Sequence, residues 1–470
     1  MSGTETGITG ILSAFAADST LKKFPAAVVD RARFLVLDLV GNIVRARHDA
    51  ESTASFLAAV RAMGMADGNF GVFGDNARYT PLGAAFLNGA LAHSLDFDDT
   101  HAAGSLHPGA PVIPAAIAAG EMVGASGSTV LAAIIAGYEV TCRIALALPA
   151  GDHYHRGFHP TATCGAFGAA AAAGRVFGFN AEQIAGAFGT VLSQAAGSLE
   201  FLVNGAWTKR FQVGWAASNG LMAATLVREG FKGAAQAFEG PHGFLKAYAP
   251  NPVPERAVQD LGQVFEIMNT AVKPYPSCRY GHASVDAALA LRAANDLRAD
   301  EIESVRIGLP HAGMLLIGQP AEKKQNPQNV VDGQFSGPFV VASALTTGAM
   351  GWDSYRLLQD PAIRAMMPLI TSEFDAEIEA EYPGNMSGKV TIRARGRDFM
   401  QKVVIPKGEP DHFLTEAELR AKFAGLTDAV LGNERAARLA DGVLAINDVE
   451  KIGSLIGLAT PLAAMRLAGE

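Results

Sequence analysis

Apolar residues recur at helical spacing along most of the first half of the chain. The segment 28–47, VVDRARFLVLDLVGNIVRAR, places them three and four positions apart, which predicts a helix with one buried face. Many later runs contain almost only Ala, Gly, Leu and Ile, and they predict buried helices that pack closely through small residues. The further runs with helical spacing are 81–95, 110–124, 128–148, 161–178, 182–199 and 211–229.

The pattern changes near residue 265, where alternating apolar and polar positions replace the helical spacing. The segment 301–310, EIESVRIGLP, predicts one strand. The segment 388–406, GKVTIRARGRDFMQKVVIP, predicts two strands around a turn at Arg395–Asp398. The segments between them that predict helices are 336–349 and 360–380.

After Pro410 the helical pattern returns in the segments TEAELRAKFAGL, NERAARLADGVLAI and DVEKIGSLIGLA. Because strands are confined to the stretch between two helical parts, the pattern predicts a mainly α fold with an insertion. We expect a large all-helical domain formed by both ends of the chain, 1–267 and 409–470, and a smaller α+β domain inserted at 268–408. The sequence contains no internal repeat and no low-complexity linker.

Composition narrows the class of protein. The chain has 470 residues, of which 49% are hydrophobic and 18% charged, and its net charge is −8. An acidic chain without a basic stripe predicts no nucleic-acid partner. The first residues, MSGTETGITGILSAFAADST, lack the features of a secretory signal, and the apolar runs are interrupted short of a membrane span. Three cysteines without a C-x-x-C pair predict a cytoplasmic protein with neither disulfide framework nor structural zinc.

Ionisable chemistry is concentrated in Ser94–Pro108, SLDFDDTHAAGSLHP, which holds three acids, two histidines and a threonine. Thr80 and Pro81 predict the start of the preceding helix, which we expect to end near Asp96. A carboxylate at a helix C-terminus with acidic neighbours gains proton affinity, so the pattern predicts that Asp96 is a base. A solvated acidic loop and a metal site are the alternatives.

Four basic side chains precede predicted helices or lie at their starts. Proline is favoured at the first helical position, so the His-Pro pairs predict helix N-termini beside both histidines. Helix N-termini favour anions, and four such groups could form a pocket for a ligand with more than one carboxylate. The alternative is four separate surface caps. The four basic side chains are His107, His159, Lys209 and Lys273.

Histidines are also unevenly distributed, since six of the eleven fall between positions 93 and 159. Neutral imidazoles with nearby carboxylates are usual metal ligands. In HYHRGFHP, however, Gly157 and Pro160 interrupt any helix that would align the three histidines, so we expect no metal. A metal-dependent hydrolase and a non-catalytic carboxylate-binding protein remain as alternatives from other classes.

Five motifs in order along the chain resemble the MmgE/PrpD family: NGALAHSLDFDDTH, LHPGAPVIPAAIAAGE, RGFHPTATCGAFGAAAAAGR, WTKRFQVGWAASNG and KPYPSCRYGHASVDAAL. The late segment AELRAKF extends the resemblance across nearly the whole chain. That family includes 2-methylcitrate dehydratase, cis-aconitate decarboxylase and iminodisuccinate epimerase. The resemblance implies a helical domain with a smaller α+β lid, a homodimer, an active site at the domain interface, and no cofactor or metal.

Carried over by motif, the resemblance also implies roles for single residues. In the decarboxylase branch a histidine stands where this chain has Cys278, a departure that argues against cis-aconitate as the substrate. Arg279 and His282 lie close enough in sequence to replace that histidine. The catalytic residues implied are Asp96, Thr100, His107 and His159. The substrate-binding residues implied are Lys209, Lys273, Cys278, Arg279 and His282.

Chemistry common to these family members begins or ends with a proton at the carbon next to a carboxylate. Lysines and helix N-termini would neutralise the carboxylate while a carboxylate or imidazole moves the proton. We therefore predict a cofactor-independent lyase or isomerase of a small di- or tricarboxylic acid, with a 2-methylcitrate dehydratase-like hydro-lyase favoured. An epimerase of an iminodisuccinate-like dicarboxylate and a cis-aconitate decarboxylase-like carboxy-lyase are the alternatives.

Overall fold

The computed structural model describes residues 7–461 and divides the chain into two compact units. Unit 1 contains the chain up to Ala271 and again from Leu419, and unit 2 is Val272–Glu418. Helices dominate the secondary structure, so the predicted mainly α fold class is confirmed.

Both boundaries lie later in the chain than predicted. The first is displaced because Thr270–Ala271 pairs with Thr100–His101, which keeps this strand in unit 1. The second is displaced because Lys407 and Glu418 both belong to unit 2: the Lys407 ammonium donates to Glu418 at 2.6 Å, and its backbone N–H donates to Asp286 at 2.8 Å.

Unit 1 consists of helices and two short pairs of antiparallel strands. The strands β1 and β2 are Ala66–Gly71 and Arg78–Tyr79, and β3 and β4 are Thr100–His101 and Thr270–Ala271. In chain order the helices α1 to α13 are Ile8–Asp18, Ala26–Asp49, Thr53–Ala62, Pro81–Ala92, Gly109–Val123, Gly127–Ala147, Ala150–His155, Pro160–Thr163, Gly165–Val176, Ala181–Val191, Phe201–Asn204, Thr208–Arg228 and Phe244–Tyr248.

The helix α4 begins as predicted but ends earlier. Thr80 caps it, because the threonine hydroxyl accepts the backbone N–H of Gly83 at 3.2 Å. It ends at Ala92, where the Ser94 hydroxyl donates back to a carbonyl of the last turn at 2.7 Å. Asp96 therefore lies beyond the helix in a left-handed conformation with φ 52°, and the prediction that it ends the helix is wrong.

Small residues allow α4 and α12 to pack backbone against backbone. A Cβ atom on Gly214 would lie 2.5 Å from the carbonyl oxygen of Phe86, and one on Gly89 would lie 3.0 Å from the Cα of Gly214. Only glycine fits such a contact. This packing brings the start of α12 beside the loop that follows α4.

The helix α6 is long and apolar enough to cross a membrane by length and composition. Of its most apolar window 94% is buried inside the protein, as in the core helix of a globular fold. Glu139 does not interrupt it, because this buried carboxylate accepts hydrogen bonds from Arg143 at 3.0 Å and from the backbone N–H of Ile267 at 3.1 Å. The expectation that every apolar run stops short of a span is therefore wrong for α6.

Unit 2 contains a four-stranded sheet with helices. Its strands β5 to β8 are Ile302–Leu309, Ile370–Phe374, Gly388–Ala394 and Arg397–Val403, in the order β6-β5-β7-β8. Only β5 and β6 are parallel. Its helices α14 to α20 are His282–Asn295, His311–Gly313, Ala321–Lys324, Val330–Gln334, Gly337–Thr347, Pro361–Met366 and Ala376–Glu379.

The strand β6 corrects the prediction of a helix over 360–380. Ile370 is fully buried and pairs with Val305 of β5, so sheet pairing outweighs the local helical pattern in this segment. The strands predicted at 301–310 and 388–406 are confirmed, with a shorter turn at Arg395–Gly396. The chain returns to unit 1 through α21 to α23, which are Glu416–Leu431, Asn433–Leu444 and Gly453–Leu458.

Candidate active site

A fully buried carboxylate, that of Asp98, lies between two imidazoles in unit 1. The Nδ1 atom of His93 lies 2.7 Å from Oδ2 of Asp98, and the Nδ1 atom of His107 lies 3.3 Å from the same oxygen. The two rings pack edge to face with their centroids 4.6 Å apart. The loop between α4 and α5 therefore folds around Asp98.

Burial and pairing set the protonation of this cluster. Burial lowers the pKa of His93 to about 4, against the attraction of Asp98. Burial by itself would raise the pKa of Asp98, but the charges and hydrogen bonds of His93 and His107 outweigh it and hold that pKa well below its usual range. At neutral pH an ionised Asp98 therefore accepts a hydrogen bond from the N–H at Nδ1 of a neutral His93, which leaves a lone pair on Nε2 of that ring.

His159 is a third buried imidazole, and its ring centroid lies 5.9 Å from that of His93. It is the N-cap of α8, as the proline after it predicted. Gln212 donates from Nε2 to its Nδ1 at 3.0 Å, and the Gln212 Oε1 accepts the backbone N–H of Ser198 at 2.7 Å. Because Nδ1 accepts, the neutral ring carries its proton on Nε2. Burial, with the charges of His93 and Lys209, holds the pKa of His159 well below its usual range.

Lys209 and Asp96 form an ion pair on the other side of this loop. Lys209 lies in the first turn of α12, and its ammonium donates to Oδ1 of Asp96 at 2.7 Å. Burial disfavours the ammonium, but the charge and hydrogen bond of Asp96 outweigh it and raise the pKa of Lys209. The pair keeps some exposure, 28% for the lysine side chain and 22% for the aspartate.

Asp99, the third acid of the loop, has a structural position. Its carboxylate accepts the Tyr138 hydroxyl at 2.7 Å and the backbone N–H of Gly109, at the start of α5, at 3.1 Å. Burial raises the pKa of Asp99 to about 8. The three acids have separate partners, and the repulsion expected between neighbouring carboxylates remains between Asp98 and Asp99, where it adds to burial in raising the pKa of Asp99.

Thr100 belongs to β3, so it shares no helix face with Asp96. Within residues 7–461, four buried polar atoms in or near the cluster have no hydrogen-bond partner: Oγ1 of Thr100, Nε2 of His93, Oδ1 of Asp98 and Nδ1 of His107, whose 3.3 Å contact with Asp98 is an ion-pair distance. Unpartnered buried polar atoms are costly, and they are found at sites that bind polar ligands.

A largely apolar cavity of about 490 Å³ lies beside His159. Gln212, which bonds to His159, forms part of its wall. So does Phe201, whose ring centroid lies 5.5 Å from that of His159 in an edge-to-face contact. The aromatic rings of Phe211 and Trp215 complete the apolar lining.

The remaining predicted site residues lie in unit 2. Arg279 is engaged in a bidentate ion pair, since its Nη2 donates to both carboxylate oxygens of Glu409 at 2.6 Å. His282 is the first residue of α14, and its Nε2 lies 3.2 Å from the carbonyl oxygen of Ser277. The predicted site residues in unit 2 are, in full, Lys273, Cys278, Arg279 and His282.

Lys273 and Cys278 differ in exposure. The Lys273 side chain is buried, and Cys278 is half-buried and forms no disulfide. The backbone N–H of Cys278 donates to the carbonyl of Gln334 at 2.9 Å. This bond orients the main chain at Cys278.

Three residues of the site were missed from sequence: His93, Asp98 and Gln212. His93 precedes Asp98 by five positions, and this spacing within AHSLDFD was the available signal. Gln212 had none, because its role depends on the fold of α12. Taken together, the ammonium, the three imidazoles and the carboxylates of unit 1 can bind an anionic group and exchange protons with it.

His93, Asp98 and His107 could also hold a metal ion, because one ligand atom from each lies within 4.8 Å of the others. Two imidazole nitrogens and a carboxylate oxygen suit zinc and other transition metals. A metal would have to replace the present contacts of both imidazoles with Oδ2 of Asp98.

Comparison with known families gives two matches that together cover most of the chain. The family model of the MmgE/PrpD N-terminal domain matches residues 10–257. That of the MmgE/PrpD C-terminal domain matches residues 275–448.

Several curated proteins are similar to this chain over most of its length. A protein of Aspergillus oryzae named cis-aconitate decarboxylase-like protein oryM is 27% identical over 92% of this chain and 93% of its own. The cis-aconitate decarboxylase of Aspergillus terreus is 26% identical over 97% and 96%. The human cis-aconitate decarboxylase is 27% identical over 76% and 73%.

The depressed pKa of His93 predicts a loss of stability in mild acid. The unfolded chain protonates this histidine near pH 6.5, whereas the folded protein does so only near pH 4. Between these values the unfolded state binds the extra proton, so the free energy of unfolding falls as the pH falls, by up to about 1.4 kcal/mol per pH unit. Denaturant unfolding over this range should show a shallower pH dependence in His93→Gln.

The matched control is His311→Gln, because the His311 side chain is 73% exposed. This variant should retain the pH dependence of the unmodified protein. An equal pH dependence in His93→Gln and the unmodified protein would contradict the assignment of a buried, neutral His93.

Proposed function

Because the chain belongs to the MmgE/PrpD family, we propose that it is a lyase that acts at the carbon next to a carboxylate of a small di- or tricarboxylic acid. The family resemblance inferred from the five motifs is confirmed. The relatives bear the name cis-aconitate decarboxylase, which favours loss of CO₂ over the loss of water predicted from sequence. Cys278 remains the departure that argues against cis-aconitate itself.

The observation that carries the proposal is the Lys209–Asp96 ion pair beside the imidazoles of His93 and His159, whose pKa values burial lowers. A substrate carboxylate would replace Asp96 as the partner of the Lys209 ammonium. This exchange neutralises the substrate charge and frees Asp96 to accept a proton. The predicted substrate-binding role of Lys209 and the predicted base role of Asp96 are thus two parts of one step.

Proton donation falls to an imidazole. In a loss of CO₂, the C–C bond breaks, its electron pair stays on carbon, and the N–H at Nε2 of His159 supplies the proton that quenches it. In a loss of water, Asp96 takes the proton next to the carboxylate and the hydroxyl leaves with a proton from His159 or His107. An epimerisation would return the proton to the opposite face.

A metal-dependent hydrolase is the second candidate function. It is supported by the arrangement of His93, Asp98 and His107, which matches the ligand number of catalytic zinc sites. It differs from the first candidate in requiring a stoichiometric metal ion for activity.

Incubation of the purified protein with a panel of di- and tricarboxylic acids in deuterated water tests the proposal. We expect one acid to acquire deuterium at the carbon next to a carboxylate, with loss of CO₂ or water visible by proton NMR. Exchange without a net change of the acid would identify an epimerase.

The control repeats the reaction after chelation, with metal analysis of the same sample. Undiminished turnover is expected for proton transfer by side chains alone. Stoichiometric metal together with loss of activity on chelation would replace the lyase by the hydrolase. No turnover of any acid in the panel would contradict the substrate class.

Substitution of the ion pair separates binding from proton transfer. Asp96→Asn should lower kcat by about 10²- to 10⁴-fold, because it removes the base and preserves the shape. Lys209→Met should lower kcat/KM by about one to two decades, the value of a charge-assisted contact. Steady-state kinetics of both variants with the acid found in the panel provides the measurement.

Two matched controls accompany these variants. Asp260→Asn replaces an exposed aspartate that also has a left-handed backbone, with φ 50°, and Lys232→Met replaces an exposed lysine. Both should leave kcat and KM unchanged. Near-normal turnover in Asp96→Asn would transfer the role of base to one of the histidines.

A homodimer is proposed from a different feature, the exposed apolar face of α11 and the start of α12. Trp207, Phe211 and Trp215 follow one another at four-residue spacing, and each is at least 40% exposed. Leu202 and Val203 are exposed by 69% and 77%. Contiguous apolar surface is typical of protein interfaces, so a second copy of the chain is the occupant that we propose.

The Ala- and Gly-rich helices predicted from the sequence are buried within unit 1, so the interface that we propose lies elsewhere. Light scattering at micromolar concentration should give the mass of a dimer, and Val203→Glu combined with Trp215→Glu should give that of a monomer. Met63→Glu, which adds the same charge at an isolated exposed methionine, should remain dimeric. A monomeric unmodified protein would contradict the interface.

A further inference from the structure

The peptide of Phe97 joins the two carboxylates on which the proposed chemistry depends. Asp96 precedes it and pairs with Lys209, whereas Asp98 follows it and contacts His93 and His107. Phe97 is itself buried, and the residue before it has a left-handed backbone. A rotation of this one peptide would displace both carboxylates from their partners.

The carbonyl of Phe97 is held by a residue far along the chain. The ammonium of Lys422, on α21, donates to this oxygen at 2.8 Å and lies 3.7 Å from the centroid of the Phe97 ring. Asn42 of α2 donates to the same oxygen at 3.3 Å. Backbone and side chain of Phe97 are thus fixed by the same cation.

Lys422 is held in turn by a buried ion pair with Asp38 of α2. The two side chains are 6% and 1% exposed. One turn further along α2, Asn42 bonds to the carbonyl of Asp38 at 3.0 Å. A buried ion pair is a poor means of gaining stability, because desolvation offsets the attraction, whereas it fixes geometry well.

We propose that Lys422 is a positioning residue of the candidate active site, and that it acts through the peptide of Phe97. This inference rests on the proposed function, since it assigns Lys422 to the same proton transfer. The ammonium orients the carbonyl between Asp96 and Asp98, so that one carboxylate faces Lys209 and the other faces the imidazoles. In this role Lys422 acts through the peptide of Phe97 and needs no contact with the substrate.

The test uses the full chain and avoids an unpaired buried charge. Lys422→Met is made together with Asp38→Asn, which removes the ion pair as a whole, and Lys422→Arg keeps the cation. We expect kcat to fall at least tenfold in the double variant. The single variant Lys422→Arg, made in the otherwise unmodified protein, should keep most of the normal kcat. Adding Asp96→Asn to the double variant should lower kcat little beyond Asp96→Asn alone, because the two changes act on one step.

A second readout needs no substrate. With ¹⁵N-labelled histidine, the Nδ1 signals of His93 and His107 report their contacts with Asp98. These signals should shift in the double variant and remain in place in Arg420→Met, which removes a cation from the same helix that pairs with Asp441 at 2.7 Å.

The outcomes separate the two proposals. Shifted imidazole signals in the folded double variant, together with no turnover of any acid by the unmodified protein, would support the positioning of the loop and overturn the proposed function. Unshifted signals, or a loss of kcat that adds in full to that of Asp96→Asn, would overturn the role of Lys422. Normal kcat in the folded double variant would overturn it as well.

Discussion

The candidate site depends on the burial of one ionised carboxylate. Asp98 has no exposed surface, and an unpaired charge at that depth would be prohibitively unstable. His93 and His107 both contact its Oδ2, which brings the two imidazoles to one oxygen, while Asp96, two residues earlier, pairs with Lys209. The short loop therefore presents two carboxylates in opposite electrostatic surroundings, one closed within the fold and one partly exposed.

This division fits the chemistry of a family whose reactions centre on a carboxylate and the carbon beside it. An ammonium with a displaceable partner can accept an anionic ligand without a net gain of buried charge. Neutral imidazoles next to it can give or take a proton, because burial has kept them unprotonated. Relatives at 26–27% identity belong to the same family, and in the function that we propose Cys278 marks a position where the ligand can differ.

The sequence predicted what is local. Thr80 and the proline after it located the start of α4, and apolar spacing predicted many of the helices together with the strands β5, β7 and β8 of unit 2. It placed the end of α4 too late, because a single hydroxyl, that of Ser94, bonds back to the helix. It gave Asp98 no role of its own, since neither the burial of this residue nor the convergence of two histidines on one oxygen can be derived from spacing. The contact of Gln212 with His159 could not be predicted from spacing for the same reason.

The contact between Lys422 and Phe97 joins residues 325 positions apart. A ribosome adds residues in order, so a nascent chain completes the acidic loop, its histidines and Lys209 long before α21 exists. Until then the carbonyl of Phe97 lacks its cation and Asp38 is buried without a counter-ion or stays in water. The loop can therefore reach its final conformation only after unit 2 and α21 have been synthesised. The maturation of the site is thus coupled to completion of the inserted unit.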